Sequence, residues 1–133
     1  LEEGSLDFSF SGLKSSVLNY LNRSKQMGKE ICIPDVAASF QDAVVEVLAA
    51  KAVKAALVKG VKTITIAGGV AANGYLRSRL IAEAEIHGIE VITPDLIYCT
   101  DNAAMIGCAG YFQYLQGHIA DLNLNAVPNL PLY

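Results

Sequence analysis

The segment that most constrains the fold runs from Lys62 to Thr93. Thr63, Ile64, Thr65 and Ile66 alternate polar and apolar β-branched side chains, the pattern of a half-buried strand, and the run leads directly into Gly68-Gly69. Asn73 then stands as N-cap of a helix carrying Leu76, Leu80, Ile81 and Ala84, which Gly88 stops. Ile89 to Thr93 reads as a second strand closed by Pro94. A strand, helix and strand joined in this way are parallel and right-handed in nearly every case. Both strands therefore deliver their carboxyl ends to one edge of the sheet, where ligands usually bind. The expected class is α/β.

Helices flank this unit. Leu13, Val17, Leu18 and Leu21 recur at helical spacing and predict a helix, followed by a polar loop from Asn22 to Lys29. Pro34, which has no amide to leave unpaired at the first helical position, predicts with Asp35 a long helix starting at Pro34 and running to Lys59. Its apolar stripe is Val36, Phe40, Val44, Leu48, Ala52 and Ala55, and Gly60 ends it. A last helix is expected from Thr100 or Asp101 to Gln116, with Gly117 as its stop and with Ala103, Ala104, Gly107, Ala109 and Gly110 allowing close packing. His118 to Tyr133, with Pro128 and Pro131 and no periodicity, reads as an extended strap over the core. Two strands are too few for a complete sheet, so the sheet is expected to be incomplete. Its open edge invites pairing with a second copy, as a homodimer or by exchange of elements.

Composition sets limits. The 133 residues fit one domain, and 53% hydrophobic against 17% charged residues excludes disorder as the global state. Apolar stretches such as Ile64 to Ala72 fall short of the roughly 18 residues that a membrane span needs. Ten basic residues against thirteen acidic ones, with no basic block, give the chain no footprint of its own for nucleic acid. Cys32, Cys99 and Cys108 form no Cys-x-x-Cys pair, which favours a reducing cytoplasm over a disulfide framework or zinc knuckle. The sequence opens on Leu1 without a signal-peptide pattern, and a fragment of a longer protein is expected.

Two stretches are candidates for chemistry. In Ala67 to Asn73, the glycines let a ligand approach the backbone and the following helix offers free amides. The same pattern also describes a simple tight turn capped by Asn73, and it is neither a dinucleotide fingerprint nor a Walker loop. In Cys99 to Ile106, Asp101 offers one oxygen ligand to a divalent metal, while Thr100 or Asp101 equally serves as a helix cap. The remaining polar and aromatic residues favour structural roles. His87 and His118 sit near helix ends, Asp42 and Glu46 read as a solvated helix face, Cys99 and Cys108 as small packed hydrophobes, and Tyr111, Phe112 and Tyr114 as core or interface aromatics.

Four motifs in order, Asp7 to Lys14, Val36 to Gln41, Ala67 to Asn73 and Cys99 to Ile106, resemble the carboxy-terminal portion of one family across nearly the whole chain. It is the tRNA threonylcarbamoyladenosine transferase family, once labelled O-sialoglycoprotein endopeptidase or glycoprotease, and the Thr-Asp-Asn-Ala-Ala form is similar to bacterial members. The resemblance implies part of an actin-like lobe, of the sugar-kinase and heat-shock ATPase design, with a short parallel βαβ core under several helices. It implies transfer of a threonylcarbamoyl group from threonylcarbamoyl-adenylate to the exocyclic amine of an adenosine beside the tRNA anticodon. It further implies that Asp101 ligates an iron or zinc ion, one per full-length subunit, and that this ion polarises the carbamoyl carbonyl as a Lewis acid. Asn73 would contact the adenylate or ATP, and Gly68 and Gly69 would form the turn beside it. Implied partners are tRNA, an inactive paralogue and an accessory ATPase.

The family's His-x-x-x-His and Ser-Gly-Gly motifs are not in this sequence, so the chain alone is expected to be silent and to hold metal weakly or not at all. A competing reading is a non-catalytic nucleotide-binding or scaffold paralogue, against which the complete Cys99 to Ile106 motif speaks. A metallopeptidase is disfavoured because no His-Glu-x-x-His occurs.

Overall fold

The computed structural model describes residues 4–129. They divide into two compact units, one ending at Cys99 and one beginning at Thr100.

The first unit contains α1 (Leu13–Gln26), α2 (Ile33–Lys59), β1 (Thr63–Thr65), a 3₁₀ turn (Gly69–Ala72), α3 (Gly74–Ile86), β2 (Glu90–Ile92) and a second 3₁₀ turn (Leu96–Tyr98). The strands pair in parallel, Thr63 with Glu90, Ile64 with Val91 and Thr65 with Ile92. The expected strand–helix–strand unit is present, with strands shorter than the β-branched runs that announce them. α2 begins one residue earlier than expected, at Ile33, so that Pro34 is its second residue, still within the first turn where a missing amide costs no hydrogen bond. Gly60 closes α2 at φ 66°, and the amides of Gly60 and Val61 reach back to the carbonyls of Leu57 and Ala56. Gly88 (φ 64°) closes α3 likewise, its amide donating to the Glu85 carbonyl and the Ile89 amide to that of Ala84.

The core lies between α2, α3 and one face of the sheet. Ala49, Val53 and Ala56 from α2 meet Leu80 and Ala84 from α3 and Ile89, with Ile64, Ile66 and Val91 beneath them. Alanines at 49 and 84, both fully buried, let the two helices approach closely. The alternation of β1 has the expected sense: Ile64 is half-buried, while Thr63 and Thr65 are exposed on the opposite face.

Four expectations are corrected. The buried stripe of α2 is Val45, Ala49, Val53 and Ala56, one residue beyond the expected positions. Apolar residues surround this part of α2, so the packing of α3 and the sheet, not hydropathy, decides which side is buried. Ile81 is 44% exposed and lies outside the core. The first helix continues through the polar run to Gln26, with Arg23 and Lys25 in its last turn complementing the dipole. Cys108 is exposed where packing was expected, as is Cys32, whereas Cys99 is buried.

In the second unit α4 (Ala103–Leu115) starts later than expected. Asn102, not Thr100 or Asp101, is the N-cap, its Oδ1 accepting from the Met105 amide at 2.9 Å. Gly117 follows α4 at φ 77°, in the expected place. α4 contributes no buried residue, and Tyr111, Phe112 and Tyr114 are exposed, so neither its small residues nor its aromatics form a core. His118 Nδ1 lies 2.6 Å from Gln113 Oε1. From His118 to Asn129 there is neither helix nor strand; residues 130–133 of the expected strap lie outside the described residues. No helix among the described residues is long and apolar enough to cross a membrane.

Candidate ligand site at the glycine turn

Beyond β1 the chain must reverse to begin α3, and Gly68 makes this possible. Its backbone lies at φ 86° and ψ 172°, a region essentially restricted to glycine. The Gly68 carbonyl accepts from the Ala71 amide at 3.0 Å, and the Val70 carbonyl accepts from Asn73 at 3.0 Å, so the turn winds directly into the helix. Asn73 then caps α3, its Oδ1 accepting from Leu76 N at 2.9 Å. Gly69 has open space where a Cβ would stand. Gly68, Gly69 and Asn73 are thus brought together in one turn. The capping reading of Asn73 holds, and its side chain has a second partner: Nδ2 donates to Gln41 Oε1 on α2 at 3.1 Å.

Two neighbours that the sequence reading missed hold this turn in place. Arg77 donates through Nε to the Ala71 carbonyl, and through Nη2 to the Pro94 carbonyl at 2.7 Å and to Cys99 Sγ at 3.2 Å. One guanidinium thereby ties the segment after β1 to the segment after β2. Tyr75 donates its hydroxyl to Asp42 Oδ1 at 2.6 Å. That hydrogen bond is the main cause of a phenol pKa held above the ordinary 10.0, with desolvation and the Asp42 charge adding to it. Asp42 is therefore not simply a solvated charge. A basic residue four places into a helix that follows a glycine turn was the available signal for Arg77; nothing in spacing alone marked its carbonyl partners.

Val70, Gln41 and Asn73 also line one end of an open apolar groove of about 820 Å³ between α1 and α2. Phe40, Val44 and Leu48, members of the expected α2 stripe, line it with Leu13, Val17 and Leu21. The Asp7–Phe8 segment is held to α2 by Lys51, which donates to the Asp7 carbonyl and sits 5.6 Å from the Phe8 ring centroid.

Asp101 is exposed in the second unit, beside a shallow depression lined by Asn102, Ala103, Met105 and Ile106. Among the described residues no three His, Cys, Asp or Glu side chains are grouped to hold a metal ion. Asp101 is one oxygen donor, and the described residues do not by themselves fit a metal centre.

The chain is thus of the parallel α/β class, with a glycine turn and a capped helix at the carboxyl edge of its strands, the edge at which such folds usually bind ligands. The model of the TsaD family, tRNA N6-adenosine threonylcarbamoyltransferase, matches residues 2–108, and the chain belongs to that family. Curated relatives carrying the same description include a Clostridioides difficile protein, 60% identical over 132 residues. Others are from Moorella thermoacetica, 57% identical over 132 residues, and Clostridium botulinum, 56% identical over 130. These alignments cover 98–99% of this chain and 38–39% of the relatives, so the chain spans about two fifths of their length.

Proposed function

We propose that this chain is the carboxy-terminal portion of an enzyme that transfers a threonylcarbamoyl group from threonylcarbamoyl-adenylate to the exocyclic amine of an adenosine beside the tRNA anticodon. The observation that carries the reading is the Gly68–Asn73 turn, built on a glycine-only backbone conformation at the edge where β1 and β2 end, in a member of this family. In this reading Gly68 and Gly69 admit the adenylate close to the backbone, and the Asn73 amide donates to it. Asp101 supplies one oxygen ligand to an iron or zinc ion whose other ligands come from outside this chain. tRNA, a paralogue and an accessory ATPase are the proposed partners, in a cytoplasmic setting.

The test is transfer of the labelled threonylcarbamoyl group from threonylcarbamoyl-adenylate to tRNA by the intact protein, with AMP as the leaving group. Asn73→Ala is expected to lower kcat/KM at least tenfold, on the scale of one lost polar contact in a ligand site. An unchanged kcat/KM would remove Asn73 from the site. Nucleotide binding without any transfer by the wild-type protein would favour a non-catalytic, scaffold-type paralogue.

A further inference from the structure

We infer that Gln41 is a positioning residue for Asn73, holding its carboxamide so that one N–H remains directed to a bound nucleotide; the inference rests on the adenylate-binding role proposed for Asn73.

The donor count leads to it. A carboxamide has one oxygen acceptor and two N–H donors. The Asn73 oxygen is engaged by Leu76 N at 2.9 Å, and one donor is engaged by Gln41 Oε1 at 3.1 Å. The second N–H is the group left to meet a ligand. With the cap bond alone the carboxamide would still rock, because the terminal torsion of asparagine is broad. A second bond, from an element 32 residues upstream, fixes the plane of the amide.

The helix that provides this bond is itself secured. Asp42, the residue after Gln41, accepts from Tyr75 at 2.6 Å, so adjacent residues of α2 grip adjacent sides of Gly74 at the start of α3. Gln41 is exposed, so its loss leaves no buried group unsatisfied and need not disturb the fold.

The experiment uses the intact protein and a non-hydrolysable ATP analogue, adenosine 5′-(β,γ-imido)triphosphate, as the binding probe. It compares Gln41→Met, which keeps the shape but loses the acceptor, with Gln41→Glu, which keeps an acceptor, and with Asn73→Ala. Gln41→Met is expected to weaken binding and raise the KM for threonylcarbamoyl-adenylate by about three- to tenfold, the scale of one exposed hydrogen bond, with kcat and Tm little changed. Gln41→Glu is expected to retain most of the affinity. If Asn73→Ala weakens binding and Gln41→Met does not, the positioning role is overturned while the proposed function stands. Equal losses in Gln41→Met and Gln41→Glu also overturn it, since the acceptor would then not matter. No loss in Asn73→Ala removes Asn73 from the site and overturns the positioning role with it.

Discussion

Arg77 donates through Nη2 to the carbonyl of Pro94 at 2.7 Å, joining the first turn of α3 to the segment that leaves β2. The same side chain holds Ala71, so it spans the carboxyl ends of both strands with a single planar fork. Arg77→Met leaves these part-buried carbonyls without a charged donor. It is expected to cost about 1.5–3 kcal/mol in urea unfolding of the intact protein. Arg77→Lys should recover only part of this, because an ammonium group cannot reproduce the fork. A methionine variant as stable as wild type would show that these bonds merely exchange for water.

The glycine pair offers an internal comparison. Gly68 has φ 86°, where any side chain is strained, while Gly69 has no such angle and no atom within 4 Å of an added Cβ. Gly68→Ala is expected to destabilise by about 1–3 kcal/mol, and Gly69→Ala to stay within about 0.5 kcal/mol. If Gly69→Ala nevertheless weakens nucleotide binding, the open space above it is ligand space. Equal stability losses would contradict the assigned turn geometry.

These local features were legible because particular residues announce them. Gly60, Gly88 and Asn73 each satisfy a backbone requirement that few other residues meet and stand where the sequence predicts, and Pro34 falls one place inside the helix start it announces. The register of α2 was not legible, because Val44 beside Val45, Leu48 beside Ala49 and Ala52 beside Val53 offer two apolar stripes of similar quality. Burial by α3 and the sheet selects one, and the other lines the groove beside α1. The α4 cap was ambiguous for a similar reason: Thr100, Asp101 and Asn102 all have capping side chains, and only the extended backbone of Asn102 shows which one acts. Arg77 and Gln41 were missed because their partners lie far along the chain or on the backbone, where periodicity carries no information.

Neighbouring residues of α3 test the core assignment directly. Leu80 is 2% exposed among Ala49, Val53 and Ile89, whereas Ile81 is 44% exposed. Leu80→Ala removes buried methyl groups and leaves a cavity, an expected cost of about 2–5 kcal/mol. Ile81→Ala should cost no more than about 1 kcal/mol. The ratio of the two losses, measured by denaturant unfolding, reads which face of α3 is inward. A larger loss at Ile81 in the intact protein would mean that a further part of that protein covers this side of the helix.

Tyr75 supplies a prediction whose sign is set by its hydrogen bond. The Asp42 carboxylate accepts the phenolic proton, which favours the neutral phenol and holds its pKa above the ordinary 10.0. Folding then stabilises the protonated form. The contribution is fully present below the unfolded value near pH 10 and is lost as pH rises through the higher folded value. In urea unfolding at a series of pH values, the stability difference between wild type and Tyr75→Phe should be constant from neutral pH up to about pH 10 and shrink above it. Absorbance titration of the tyrosinates should show one phenol ionising late in wild type and missing from the variant. A stability difference that instead grew with pH would mean that ionised Tyr75 is the form the fold favours, and the Asp42 bond could not then be what holds it.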